Sequence, residues 1–253
     1  MTGGPVTARH RAGPAGLLLV AAAAWVWVAT RWGDSDMQAM PGTMGLGLPA
    51  FLAVWTLMMV AMMLPATAPV AALYARTIRV HRGPRMVVFT AAYLLVWAAA
   101  GLPAYALATG LGRTAGLPAP MGTAAAAAVF GFSGVYQLTP LKERCLARCR
   151  SPIALMLRYA SYPGPSRDVR AGAHHGAFCL GCCWSLMVLL AAYGLMNLWA
   201  MVVLAAVITG EKLAPAGRLV ARAVGVASIA LAVAVFWVPA LAPDLTGGGT
   251  AGM

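Results

Sequence analysis

His174, His175, Cys179, Cys182 and Cys183 fall within ten residues of a single apolar run. At helical spacing, His175, Cys179 and then Cys182 or Cys183 recur at intervals of four and three or four. That puts an imidazole and two or three thiols on one face. Thiolate with imidazole is a ligand set for Zn(II), Cu(I) or an iron–sulfur centre. The competing account is structural, with cysteine packing as a small buried hydrophobe and the histidines resting at an interface. Three cysteines and two histidines so close together favour the metal.

Two further groups could take part. Met58, Met59, Met62 and Met63 form two interleaved i,i+4 pairs, so one pair is expected to face inward whichever way the helix is rotated. Thioethers select Cu(I), although methionine also fills gaps in apolar cores. Met62, Met63, Cys182 and Cys183 each sit near the middle of their own apolar segments, within about one helical turn of a common depth. Cys145 and Cys149 lie in a basic stretch and share a face if the chain is helical after Pro140. Flanking cations favour thiolate there. This pair suits a relay that hands metal to the histidine end of the 171–192 segment, against the alternative of two interfacial cysteines.

The elements that must position these groups are membrane helices. Of the 253 residues, 61% are hydrophobic and 9% charged, and the mean hydropathy is +0.79. So little polarity excludes an ordinary water-soluble enzyme and a disordered chain. Apolar segments at 15–31, 50–72, 86–110, 121–138, 171–192, 195–210 and 223–241 predict an all-α polytopic bundle of about seven transmembrane helices, six if the short 195–210 segment does not cross. The first reads as an uncleaved anchor, since no convincing small-residue cleavage site follows it. Residues 1–14 form an N-terminal tail, 15–241 one helical domain with a basic segment at 139–170, and 242–253 a flexible C-terminal tail.

The net charge of +12 reports orientation. With the N-terminus cytoplasmic, every Lys and Arg except Arg31 and Arg113 lies on the inner side, which is the positive-inside pattern. No nucleic-acid partner is needed to explain it. The expected partners are the lipid bilayer and a metallochaperone or metalloenzyme. In the outer loop, Asp34, Asp36, Met37, Met40 and Met44 read as a polar connection. Glu211-Lys212 reads as an interfacial ion pair, and Trp32, Trp97 and Trp184 suit an aromatic belt. The sequence carries no phosphate-binding glycine loop, no Ser/His/Asp arrangement and no His-Glu-x-x-His.

Four runs resemble a bacterial family of predicted metal-binding integral membrane proteins, domain of unknown function 2182. They are Met-Met-x-x-Met-Met-Leu-Pro at 58–65 and Tyr-x-Leu-Thr-Pro-Leu-Lys-x-x-Cys-Leu-x-x-Cys-Arg-x-Pro at 136–152. With these go Gly176, Cys179, Gly181, Cys182, Cys183, Trp184, Leu186 and Met187 within 175–187, and Gly194-x-Met-Asn with Glu211-Lys212. The resemblance implies a metal site in the inner membrane and adds Lys142, Asn197 and Glu211 as possible supports.

The expectation is a multi-pass protein of the bacterial inner membrane that binds metal and acts in copper handling, by transport, delivery or metalloenzyme assembly, rather than an enzyme. Cu(I) is preferred because sulfur is abundant and carboxylates are scarce, with Zn(II) second. The alternatives are a membrane thiol oxidoreductase using Cys145/Cys149 and Cys182/Cys183, and a metal-binding subunit of a membrane oxidase. No cysteine occurs in the outer loops to complete the first of these.

Overall fold

The computed structural model describes residues 6–32, 42–43, 45–113, 118–195, 197–242 and 245. The acidic and methionine residues at 34–44 and the tail after 242 lie almost wholly outside this range. The described chain is α-helical: α1 (Val6–Trp32), α2 (Leu48–Thr77), α3 (Arg82–Gly112), α4 (Ala119–Gln137), α5 (Pro140–Cys149), α6 (Pro152–Ala160), α7 (Arg167–Tyr193), α8 (Leu198–Leu213) and α9 (Gly217–Ala234). By length and composition, α2, α3, α7 and α9 can cross a membrane. A fifth span results if α4 and α5, bent by 63°, are taken as one.

Helix ends follow local chemistry. Leu138-Thr139-Pro140 breaks α4 from α5: Pro140 supplies no N–H, and the Thr139 hydroxyl caps α5 by accepting from the Lys142 amide at 3.3 Å. The chain is helical after Pro140, and the basic segment holds two helices there, because Ser151-Pro152 stops the first and starts the second. Gly194 ends α7 with φ of 90°, a conformation that favours glycine, and the Asn197 side chain then caps α8, 3.0 Å from the Ala200 amide. Asn197 is therefore a helix cap, at the end of α8 away from Glu211 and Lys212.

α3 runs along α7, α1 along α2 and α9 along α4, while α2 also touches α3, α6 and α8. Contacts on so many sides bury α2 deeply. Met58, Met59, Met62 and Met63 are all at most 1% exposed, so both methionine pairs face inward rather than one of them. Trp97 departs from the belt expectation and is fully buried, its carbonyl accepting from Trp55 Nε1 at 2.9 Å.

Small residues set the spacing of α4 and α9. A Cβ placed on Gly134 would lie 2.7 Å from Ile229 Cγ1 and 2.8 Å from the Gly225 carbonyl oxygen. Gly134→Ala is expected to destabilise the fold by about 1–3 kcal/mol through overpacking, read as a lower unfolding temperature in detergent.

The basic segments gather at one end of the bundle. There Arg85 donates to both carboxylate oxygens of Asp168 at 2.8 and 2.9 Å, and Asp168 also accepts from the Tyr74 hydroxyl. Tyr74, Phe89 and Tyr159 pack beside this group as a small aromatic core.

Candidate metal centre

α7 brings its three cysteines to the axis of the bundle, where α2, α3, α5 and α8 meet it. Cys179, Cys182 and Cys183 are each at most 1% exposed, and all five cysteines are free thiols. Cys182 Sγ lies 3.2 Å and Cys183 Sγ 2.9 Å from the Cys179 carbonyl oxygen, the back-bonding position one turn earlier. Cys183 Sγ is also 4.0 Å from Met63 Sδ on α2. Spacing alone left the pairing of α2 with α7 open. The structure makes that contact through Met63, with Met58, Met59 and Met62 enclosed in the same core.

The cysteines of α5 reach the same place. Cys149 is buried and its side chain meets Cys182. Cys145 is half-buried against the bare backbone of Gly181, where an added Cβ would lie 2.9 Å from its sulfur. Tyr136 holds this junction by donating its hydroxyl to the Gly181 carbonyl. The thiols of α5 and the cations that flank them are placed differently. Arg144 and Arg148 are exposed, Arg148 lying 5.1 Å over the ring of Phe178, while Cys149 turns into the core.

Lys212 is the residue of the candidate site that spacing did not reveal. Its Nζ is buried 2.9 Å from Cys179 Sγ, and the Tyr93 hydroxyl lies 3.0 Å from the same sulfur. Tyr93 is in turn 3.1 Å from the Thr67 hydroxyl. The expected ion pair of Glu211 with Lys212 does not form, since on a helix adjacent residues point apart. Instead Glu211 accepts from Lys142 Nζ at 2.6 Å and from Gln137 Nε2 at 2.9 Å, with Lys142 and Glu211 each 1% exposed. Arg150 donates to the Glu211 carbonyl at 2.6 Å and to Pro215 at 3.0 Å. This network fastens the end of α8 to α4 and α5 and so fixes Lys212 beside the thiols.

The two histidines part company. His175 is buried between the rings of Phe89 and Tyr93, with centroids 6.3 and 5.6 Å away, and its Nδ1 has no hydrogen-bond partner. His174 packs among Tyr159, Tyr162 and Phe178 and lines a separate basic cavity.

Among the described residues, no group of three or more His, Cys, Asp or Glu side chains is arranged to hold a metal ion. The thiols of Cys182 and Cys183 are engaged with a carbonyl and Cys179 with Lys212. The donor chemistry nevertheless fits a soft ion. Two sulfurs about 2.3 Å from one ion stand about 3.8 Å apart at a tetrahedral angle and about 4.6 Å apart when opposed. The 4.0 Å between Cys183 and Met63 falls in that interval.

No curated protein and no solved structure matches the chain. Residues 52–235 match the family model PpoB2, described as a copper chaperone. This range takes in the methionine run of α2, both cysteine runs and Glu211-Lys212. The match covers well over half of the chain, which thus belongs to the PpoB2 copper chaperone family and has its part in copper handling.

Proposed function

We propose that this copper chaperone is a multi-pass protein of the bacterial inner membrane, with about seven spans and its N-terminus in the cytoplasm. It holds copper as Cu(I), its cargo, on sulfur inside the bundle. The observation that carries this reading is the approach of Cys183 to Met63 at 4.0 Å, in a core where Cys149, Cys179 and Cys182 also converge. Thiolate and thioether donors without a carboxylate suit Cu(I) before Zn(II).

The chain's own residues divide the work. Cys182 and Cys183 with Met63 form the main ligand set, and small side-chain rotations away from the Cys179 carbonyl free their sulfurs. Cys179 and His175 are further donors on the same face of α7. Lys212 puts positive charge beside the sulfurs, offsetting the negative charge of a bis-thiolate site. Cys145, the half-buried thiol at the basic end, together with Cys149 relays the ion between the centre and a metallochaperone or metalloenzyme. The protein delivers its cargo and performs no turnover of its own.

Met63→Leu keeps the side-chain volume and is expected to leave the fold intact. Its Cu(I) affinity, measured by competition with a Cu(I) chelator, is expected to fall by about tenfold or more, with Zn(II) affinity unchanged. Equal Cu(I) affinities for Met63→Leu and wild type would remove α2 from the site.

A further inference from the structure

Two cavities meet at Cys145. One, of about 520 Å³, is apolar and runs beside α3 between Trp97 and Ala108, walled on its other sides by Leu180, Trp184 and Met187. Eleven residues of helix make that about 16 Å long at the ordinary rise per residue. The other, of about 850 Å³, lies between α5, α6 and α7 at the basic end of the bundle and is lined by Arg144, Arg148, Arg158 and His174. Leu141 and Cys145 line both, so the two adjoin at these side chains.

Among the described residues, no carboxylate lines either cavity. The ion pairs among the described residues are Arg85 with Asp168, Lys142 with Glu211, and Glu143 with Arg218 and Arg222, which leaves out all three arginines of the basic cavity. Arg148 lies over Phe178 and Arg158 Nε donates to the Tyr162 hydroxyl at 3.3 Å, contacts that leave their guanidinium charges uncompensated. His174 adds two ring nitrogens without a hydrogen-bond partner. Guanidinium groups bind phosphate oxygens in pairs, and an apolar channel one helix-segment long beside them takes a hydrocarbon chain.

We propose that the two cavities form one site for an anionic phospholipid, its headgroup phosphate on Arg144, Arg148 and Arg158 and one acyl chain in the apolar cavity, crossing Cys145. The three-arginine wall selects an anionic headgroup over a zwitterionic one. Because Cys145 is the half-buried thiol among five, a bound lipid also shields the cysteine exposed to reagents. The site shares Cys145 with the proposed relay but touches none of the cysteines of α7, so lipid binding and copper loading of the α7 centre can fail separately.

The test uses the full chain purified and delipidated in detergent, with phosphatidylglycerol, phosphatidylcholine of the same chains, and glycerol 3-phosphate as probes. Binding is followed by native mass spectrometry, and Cys145 by its maleimide labelling rate mapped to its peptide. Phosphatidylglycerol is expected to bind at least about tenfold more tightly than phosphatidylcholine and to slow Cys145 labelling. Glycerol 3-phosphate is expected to do neither. The Arg144→Ala/Arg148→Ala/Arg158→Ala variant is expected to lose the preference for phosphatidylglycerol. Leu107→Trp, which fills the apolar cavity and keeps the arginines, is expected to weaken both lipids. Equal binding of the two lipids by wild type, or an arginine variant that keeps the preference, overturns the proposal. So does full competition by glycerol 3-phosphate, which would mark a site for free anions.

Discussion

Replacing Cys179, Cys182 and Cys183 together by serine is expected to take the purified protein from about one copper per chain to background, measured by metal analysis after loading with Cu(I) under reducing conditions. The fold should survive the change. Serine hydroxyls at 182 and 183 can donate to the Cys179 position's carbonyl as the thiols do at 3.2 and 2.9 Å, which is a favoured bond for serine within a helix. A hydroxyl at 179 still faces Lys212 and Tyr93. What is lost is soft sulfur. Methionine alone is left on α2, and the two cysteines of α5 no longer have Cys182 to share an ion with. Retention of copper by the triple variant would place the cargo elsewhere.

The second large effect is on stability. Lys142→Met removes one partner of a buried ion pair and leaves Glu211 charged, 1% exposed and bonded only to Gln137. The expected loss is about 3–5 kcal/mol, the usual cost of stranding a buried charge. It is read as a clear fall in unfolding temperature in detergent. Lys142→Met with Glu211→Met is expected to regain most of that loss, because two apolar side chains replace both charges at once. If Lys142→Met alone unfolds like wild type, the ion pair does not anchor α8. The same single variant is also expected to weaken copper binding, because Lys212 is the next residue along α8 and depends on that anchor to stay beside Cys179.

The sequence shows the helices and the sulfur because both depend on short-range spacing. Cys179, Cys182 and Cys183 share a face by periodicity alone, and Pro140 announces α5 in advance. Rotation of α2 was not legible in the same way. A helix apolar on all sides carries no stripe to orient it, and only the packing of α1, α3, α6 and α8 shows that all four methionines are enclosed. His174 and His175 are adjacent in sequence and equally plausible as ligands, yet adjacent helical residues point about 100° apart, which sends one to the basic cavity and the other to the core.

Contacts between distant segments were the least legible. Lys212 meets Cys179 across 33 residues, Tyr93 meets it across 86, and Lys142 meets Glu211 across 69. Glu211 and Lys212 side by side suggest one another as partners, and the geometry of a helix denies it. The family-like runs did mark Lys142 and Glu211, without indicating that the two bind each other. Tyr93 sits in an apolar run of α3 with nothing in its neighbourhood to distinguish it from a core aromatic.

The central claim is that copper is held by the cysteines of α7 together with a methionine of α2. X-ray absorption at the copper edge tests it directly, on Cu(I)-loaded protein grown with selenomethionine. The expected spectrum has a sulfur first shell near 2.3 Å, as for thiolate bonded to a soft metal, together with a copper–selenium distance that disappears in Met63→Leu. A first shell of nitrogen and oxygen, or sulfur with no selenium, would contradict the account.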